Sequence, residues 1–191
     1  MRRRAFVAVS AAAAFSGCAS VQPRFYGLGP SLEAGAPPFP LRVGLEPVDV
    51  AAVFSRRELV LRPTPTTLTL APNDLWAEPV DSMLQRVLAE DLARGLGIVQ
   101  VARLPARLAE VPDRLVEVEV LELDGRDGGT ARLAAVWRIY EGVPRRLLRE
   151  GRTEVTETYA PPDAYPPLVE ALNRAVARLA MDLVAALRAT G

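Results

Sequence analysis

The sequence predicts a single α+β domain, in which a mostly antiparallel mixed β-sheet carries two long helices packed on one face. Two segments repeat apolar residues at helical spacing, one in the middle of the chain and one at its end. The segments around them alternate apolar and polar residues with the period of two expected of half-buried strands. The order strands, helix, strands, helix is typical of a sheet whose helices are gathered on one side.

The segments before the first helix predict short strands. Residues 25–28 are extended, and a Pro/Gly-rich loop continues to residue 40. Residues 41–45 alternate between apolar and polar side chains, which predicts a strand. Two further strands are predicted at residues 58–62 and 66–70, on either side of a proline-containing turn. These strands supply one part of the sheet.

The first helix is predicted to begin with Pro79 in its first turn, where the missing N–H of proline is harmless. Gly95 and Gly97 mark its end. Its apolar stripe consists of Val80, Leu84, Val87, Leu88 and Leu92. Such a stripe usually packs into a core, so we expect this helix to cover the sheet rather than form a ligand groove.

The second half of the chain predicts a short strand near residues 98–101 and three longer strands. Residues 115–123 alternate between apolar and polar side chains, as a strand does. A hairpin turn with two Asp-Gly pairs follows, and the next strand places its apolar side chains on one face. A third strand is expected over residues 147–158. A helix then begins near Pro167, and its apolar stripe fits either a coiled-coil seam between subunits or, the favoured interpretation, packing on its own sheet.

The N-terminus has the proportions of a signal peptide. Three arginines precede eleven mostly apolar residues, whereas a membrane-spanning helix needs about 20. The following Phe15-Ser16-Gly17-Cys18 resembles the lipobox of bacterial lipoproteins, with cleavage between Gly17 and Cys18. We therefore predict a signal peptide at residues 1–17, a lipidated tether at 18–24 and one domain at 25–191. An ordinary secretory signal with a chance cysteine is the alternative.

Resemblance to bacterial lipoproteins implies that Cys18 carries three acyl chains, palmitate among them, which together would anchor the protein stably. Ala19 follows where Asp would favour inner-membrane retention, so the outer membrane is expected, with the domain on its periplasmic face. The five residues from Ala19 to Pro23 reach at most about 18 Å. The folded domain is therefore expected close to the membrane surface.

Composition excludes several classes of function. Removal of the three leading arginines leaves 20 Arg against 23 acidic residues, a net charge of −3 that offers no basic field to nucleic acid. The chain contains no His, no G-x-S-x-G segment and no phosphate-binding glycine loop after a strand. We predict no catalytic residue, no cofactor and no metal site. A hydrolase that uses carboxylates alone is the enzymatic alternative.

The segment from Asn73 to Leu92, with Trp76-Ala77-Glu78-Pro79 at the helix start, resembles the ABC-type transport auxiliary lipoproteins of the paraquat-inducible protein C type. The aromatic pair Phe25-Tyr26 soon after the cysteine fits the same pattern, as does a strand containing Trp137 after a hairpin. The resemblance extends over nearly the whole chain that would follow cleavage.

That resemblance implies the outer-membrane component of an intermembrane lipid transporter, acting as a docking subunit without catalysis. Its implied partners are a periplasmic MCE-domain protein, an inner-membrane permease and a cytoplasmic ATPase, and a homo-oligomer around an MCE tube is compatible with it. The alternative is a structural or regulatory envelope lipoprotein, for example an activator of cell-wall synthesis.

Trp76, Glu78 and Pro79 are the candidate partner contacts, since Trp is enriched at interfaces. The favoured interpretation is structural, with Trp76 covering the core and Glu78 placed favourably at a helix N-terminus.

Overall fold

The computed structural model of the protein describes residues 22–105, 111–162 and 164–191. The predicted signal peptide at residues 1–17, which ends at Gly17, and the candidate lipidation residue Cys18 lie outside the described residues. Within those residues the chain forms nine strands and two helices: β1 Arg24–Tyr26, β2 Val43–Leu45, β3 Asp49–Val50, β4 Glu58–Thr64, β5 Thr67–Trp76, α1 Val80–Leu96, β6 Ala102–Arg103, β7 Arg114–Arg126, β8 Thr130–Glu141, β9 Arg146–Thr158 and α2 Tyr165–Arg188.

The sheet is organised around the long strand β7. On one side, β7, β8 and β9 form an antiparallel meander. On the other side, the short strands β2, β3 and β4 pair with β7 in succession, all of them parallel to it. Strand β5 returns antiparallel to β4, β1 adds a parallel edge to β5, and β6 adds a parallel edge to β2. The predicted α+β fold with a mixed sheet and two helices is confirmed.

The core lies between this sheet and the two helices, which also contact each other. In β8 the inward-facing Leu133, Ala135, Trp137 and Ile139 are all buried, as their alternation predicted. The apolar stripe of α2 is buried against the same strands and against α1, which is the packing that the sequence analysis favoured over a seam between subunits. Burial of each such leucine stabilises the fold by about 1.5–3 kcal/mol relative to exposure.

Helix α1 begins one residue after Pro79, and all five residues of its predicted stripe are buried. Gly97 ends it in the left-handed conformation, with φ of +65°. A Cβ at Gly97 would lie 2.1 Å from the carbonyl oxygen of Ala36. Both the positive φ and this close approach of the backbone therefore require glycine here. The strand predicted near residues 98–101 was wrong in position, because pairing with β2 begins only at Ala102.

Candidate functional site

Strand β1 joins the predicted tether to the sheet, and a buried carboxylate fastens it there. Arg24, Phe25 and Tyr26 pair in register with Asp74, Leu75 and Trp76 of β5. The Asp74 carboxylate, 3% exposed, binds Arg24 Nε at 2.8 Å and accepts the Tyr26 hydroxyl at 2.8 Å. Burial, together with the hydrogen bond to Asp74, raises the pKa of Tyr26 to about 12.

The side chain of Phe25 points away from this cluster, because successive residues of a strand alternate between its two faces. Phe25 is 55% exposed, and the Arg57 guanidinium lies over its ring at 5.8 Å from the centroid. The first strand after the predicted anchor therefore carries a buried polar fastening on one face and an exposed aromatic ring on the other.

The candidate contacts Trp76, Glu78 and Pro79 lie together at the junction of β5 and α1. Trp76 is the last residue of β5 and is 3% exposed, so its ring belongs to the core, as the structural interpretation expected. Glu78 is half-buried and binds Arg86 Nη2 at 2.5 Å, while Pro79 is exposed. Of the three residues, only Glu78 and Pro79 offer surface to another molecule, and that role stays a prediction.

The Pro/Gly-rich residues 27–41, which we call the strap, are bound by polar side chains of α1. The Asp91 carboxylate accepts the backbone amides of Ser31 and Leu32 at 2.7 and 2.8 Å. Arg86 donates to the carbonyl of Leu28, and Arg94 donates to that of Leu32. The strap thus obtains from α1 the backbone partners that a regular strand would obtain from a neighbour.

Helix α2 binds the strap at two further points. The Asn173 side chain accepts the Gly29 amide at 2.9 Å and donates to the Ser31 hydroxyl at 2.8 Å. Near the other end of α2, Arg188 Nη2 donates to the carbonyls of Pro37 and Gly95 at 2.8 and 3.0 Å. The segment that leads from β1 into the core is therefore bound to both helices.

Asp91 is fully buried, and its Oδ2 atom has no hydrogen-bond partner among the described residues. Desolvation by burial raises the pKa of this carboxyl, and the two amides that it accepts lower it only in part. Both of those hydrogen bonds come from amides of the strap, so the role of Asp91 is to hold the strap against α1.

The face of the sheet opposite the helices carries alternating arginines and glutamates that pair across strands. Arg132 binds Glu122 at 2.6 Å and Glu154 at 2.5 Å, and Arg138 binds Glu117 at 2.7 Å. Exposed pairs of this kind are screened by solvent and contribute little to stability. Their carboxylates are already neutralised by arginine, which lowers the pKa of Glu154 and suits a solvated face rather than proton transfer.

An open depression of about 550 Å³ lies beside the start of β7. Arg42 and Asp113 in its wall form a two-pronged ion pair at 3.1 Å, and Val143 contributes exposed apolar surface. Glu141, which also lines the depression, binds Arg146 at 2.9 Å. Across the described ranges no cluster of three metal-ligating side chains exists, and no helix there is long and apolar enough to cross a membrane.

Comparison with known proteins decides the family. The model of the ABC-type transport auxiliary lipoprotein component matches residues 26–184, from β1 into α2. The chain belongs to this family. The match confirms the resemblance drawn from the helix start at residues 76–79, and a lipoprotein of this family is a membrane-anchored component of the cell envelope that assists an ABC transport system.

Solved structures support the fold. An uncharacterised protein is 20% identical, with a TM-score of 0.72 over 87% of this chain and 99% of its own. A Xanthomonas campestris protein of the DUF330 family is 16% identical, with a TM-score of 0.73 over 84% of this chain and 92% of its own. No curated protein matches the sequence significantly. At these identities the likeness concerns the fold alone.

Sequence reasoning missed the Asp74 cluster and the fastening of the strap. Asp74 and Asp91 were both noted only as part of the segment from Asn73 to Leu92. The parallel pairing of β1 with β5 joins residues 50 positions apart, and the Tyr26–Asp74 hydrogen bond joins residues 48 apart, so no local pattern reports these contacts. Proline and glycine in the strap excluded regular structure but did not indicate what binds it.

Proposed function

We propose that this protein is the outer-membrane lipoprotein of an MCE-type ABC system for intermembrane lipid transport, in which it acts as a non-catalytic docking subunit. The observation that supports the proposal most strongly is the family match over residues 26–184 behind a lipobox-like Phe15-Ser16-Gly17-Cys18. Its partners would be a periplasmic MCE-domain protein, an inner-membrane permease and an ATPase that supplies the energy.

A docking role agrees with how the described residues are arranged. Their arginines and carboxylates largely bind one another, and the open depression beside β7 is lined by such pairs. A subunit that positions a transporter needs instead a firm connection between its anchor and its core. The Asp74 cluster and the strap provide that connection, since they bind the chain that follows the tether to β5, α1 and α2.

The proposal is tested by affinity purification of the tagged protein from crosslinked membranes, with mass spectrometry of the captured proteins. We expect an MCE-domain protein with its permease and ATPase, and we expect Cys18→Ser to lower their recovery because the variant cannot be lipidated. The mass of the N-terminal peptide reports independently whether Cys18 carries acyl chains.

Recovery of cell-wall synthases without transporter components would overturn the assignment and favour a structural or regulatory envelope lipoprotein. Capture of the transporter components by a protein with an unmodified Cys18 would support the proposed partners and overturn the proposed lipid anchor.

The predicted partner contact at the α1 start is tested in the same experiment by Glu78→Gln. This variant removes the charge next to Pro79 without emptying the core. Glu170→Gln, on the exposed face of α2, is the matched control. Lower crosslinking for Glu78→Gln alone would support the contact, and equal crosslinking for both variants would contradict it.

A further inference from the structure

The exposed ring of Phe25 lies beside Arg57, one of two consecutive arginines with no acidic partner among the described residues. Phe25 is 55% exposed, and Arg57 is close enough to lie over it. Arg56 and Arg57 are both exposed, and neither forms an ion pair with any described residue, in a protein whose arginines mostly do. Glu58 follows them but is half-buried in β4, so the exposed pair keeps an excess of positive charge.

The length of the chain limits how far this surface lies from the predicted anchor. Phe25 is the seventh residue after Cys18, and a fully extended chain of that length spans at most about 25 Å. The Asp74 cluster fixes β1 to the sheet, so the Phe25 ring and the Arg57 head group beside it keep their place relative to the folded domain. A domain anchored at Cys18 therefore carries this surface close to the bilayer.

An exposed aromatic ring beside an unpaired arginine, with a second exposed arginine next to it in the chain, has the chemistry of a membrane-interface contact. The ring is apolar enough to enter the region between head groups and acyl chains, while the guanidinium groups bind lipid phosphates. Arg24 does not add to this charge, because Asp74 neutralises it. The chain's net negative charge after cleavage, −3, makes a local excess of arginine at this end more distinctive.

We propose that Phe25, Arg56 and Arg57 form a membrane-contact surface that binds the phosphate head groups of the anionic bilayer in which the lipid chains of Cys18 are inserted. The surface would orient the domain on the membrane, so that α1 and the strap face a set direction. This inference rests on the proposed lipid anchor, and it adds to the anchor a second, non-covalent contact.

The test uses the full lipidated protein reconstituted into vesicles of phosphatidylethanolamine with about one third phosphatidylglycerol. Phe25→Trp places a fluorescent reporter at the site, and the native Trp76 and Trp137, both buried, supply a constant background. Leu147→Trp is the matched control, since Leu147 is 46% exposed but lies in β9 at the opposite edge of the sheet. Brominated lipids quench only a tryptophan that reaches the bilayer.

We expect the emission of Phe25→Trp to be blue-shifted and quenched several times more strongly than that of Leu147→Trp. Adding Arg56→Gln and Arg57→Gln should lower the contacting population about fivefold per arginine in anionic vesicles. The same changes should have little effect in vesicles without phosphatidylglycerol.

Equal quenching of the two tryptophan variants would overturn the membrane contact. An emission shift that appears only with captured protein partners present would assign the surface to a protein contact instead. The mass of the Cys18 peptide is measured before reconstitution. An unlipidated Cys18 would therefore overturn the anchor and this inference together, whereas a lipidated Phe25→Trp protein whose reporter stays unquenched would overturn the inference alone.

Discussion

At the scale of single residues, the position of the Trp137 indole depends on the space that Gly151 leaves on the neighbouring strand. Its Nε1 donates to Thr153 Oγ1 at 3.2 Å, and that hydroxyl donates to Asp182 of α2 at 2.7 Å. The ring lies over Gly151, its cross-strand partner in β9. A Cβ at Gly151 would lie 2.2 Å from Trp137 Cζ2, so no side chain fits there without moving the ring.

Gly151→Ala is therefore expected to lower the free energy of unfolding by about 1–3 kcal/mol through overpacking. Urea denaturation followed by tryptophan fluorescence measures the change. Gly27→Ala is the matched control, because a Cβ at Gly27 meets nothing within 4 Å and should change stability by less than about 0.5 kcal/mol. Equal stabilities of the two variants would show that the Trp137 ring moves at little cost.

Asp91 gives a prediction about pH. Burial raises its pKa above the ordinary 3.8, so the unfolded chain releases this proton at a lower pH than the folded protein does. The folded state therefore loses stability as pH rises from about 3.8 through the raised pKa. Asp91→Asn removes the titration and keeps an oxygen for the amides of Ser31 and Leu32.

We expect the stability of the wild type relative to Asp91→Asn to fall across that pH window and to stay constant above it. Urea unfolding of both proteins at a series of pH values measures the difference. A difference that does not change with pH would show that Asp91 titrates alike in the folded and unfolded states.

At the scale of elements, the helices and the β7–β9 meander could be predicted because each repeats its period over ten or more residues. Strands β3 and β6 have only two residues each, too few to show a period, and their pairing with β7 and β2 is parallel and non-local. Strand β5 also continues to Trp76, six residues beyond the strand end at residue 70 that the sequence predicted. Burial of Trp76 and its pairing with β1 decide that boundary, and neither is visible in local propensity.

The strap is the element whose order depends most on side chains of other elements. Arg188→Gln removes the donor to the carbonyls of Pro37 and Gly95. We expect hydrogen exchange at the Phe39 amide, which donates to Leu96 nearby, to become about 5- to 10-fold faster, since a hydrogen bond of this kind contributes about 1 kcal/mol.

Hydrogen exchange with mass spectrometry of a peptide over residues 36–41 measures the loss. Arg178→Gln, at an exposed position of α2, should leave the exchange of that peptide unchanged. Faster exchange throughout the protein in Arg188→Gln would mean that the residue supports the whole fold rather than the strap.

At the scale of the whole molecule, the Asp74 cluster holds β1, the first described strand, against the sheet. With β1 docked, five residues separate Cys18 from Arg24, whereas undocking of β1 would lengthen the free chain through the Phe25–Tyr26 segment. Asp74→Asn removes the charge that binds Arg24 and weakens the bond from the Tyr26 hydroxyl, while the neighbouring core residues remain. Weakening by about 1–2 kcal/mol should raise the undocked population of β1 roughly 5- to 30-fold.

Limited trypsin digestion of the membrane-bound protein measures this population, since cleavage after Arg24 requires β1 to leave the sheet and releases the domain from the membrane. Cleavage after the exposed Arg145, in the turn between β8 and β9, serves as a reference within the same molecule and should be unaffected. Faster release with an unchanged reference rate would establish Asp74 as the point where the anchor is joined to the fold. An unchanged release rate would mean that the backbone pairing of β1 with β5 is sufficient, and that the carboxylate adds nothing to the connection.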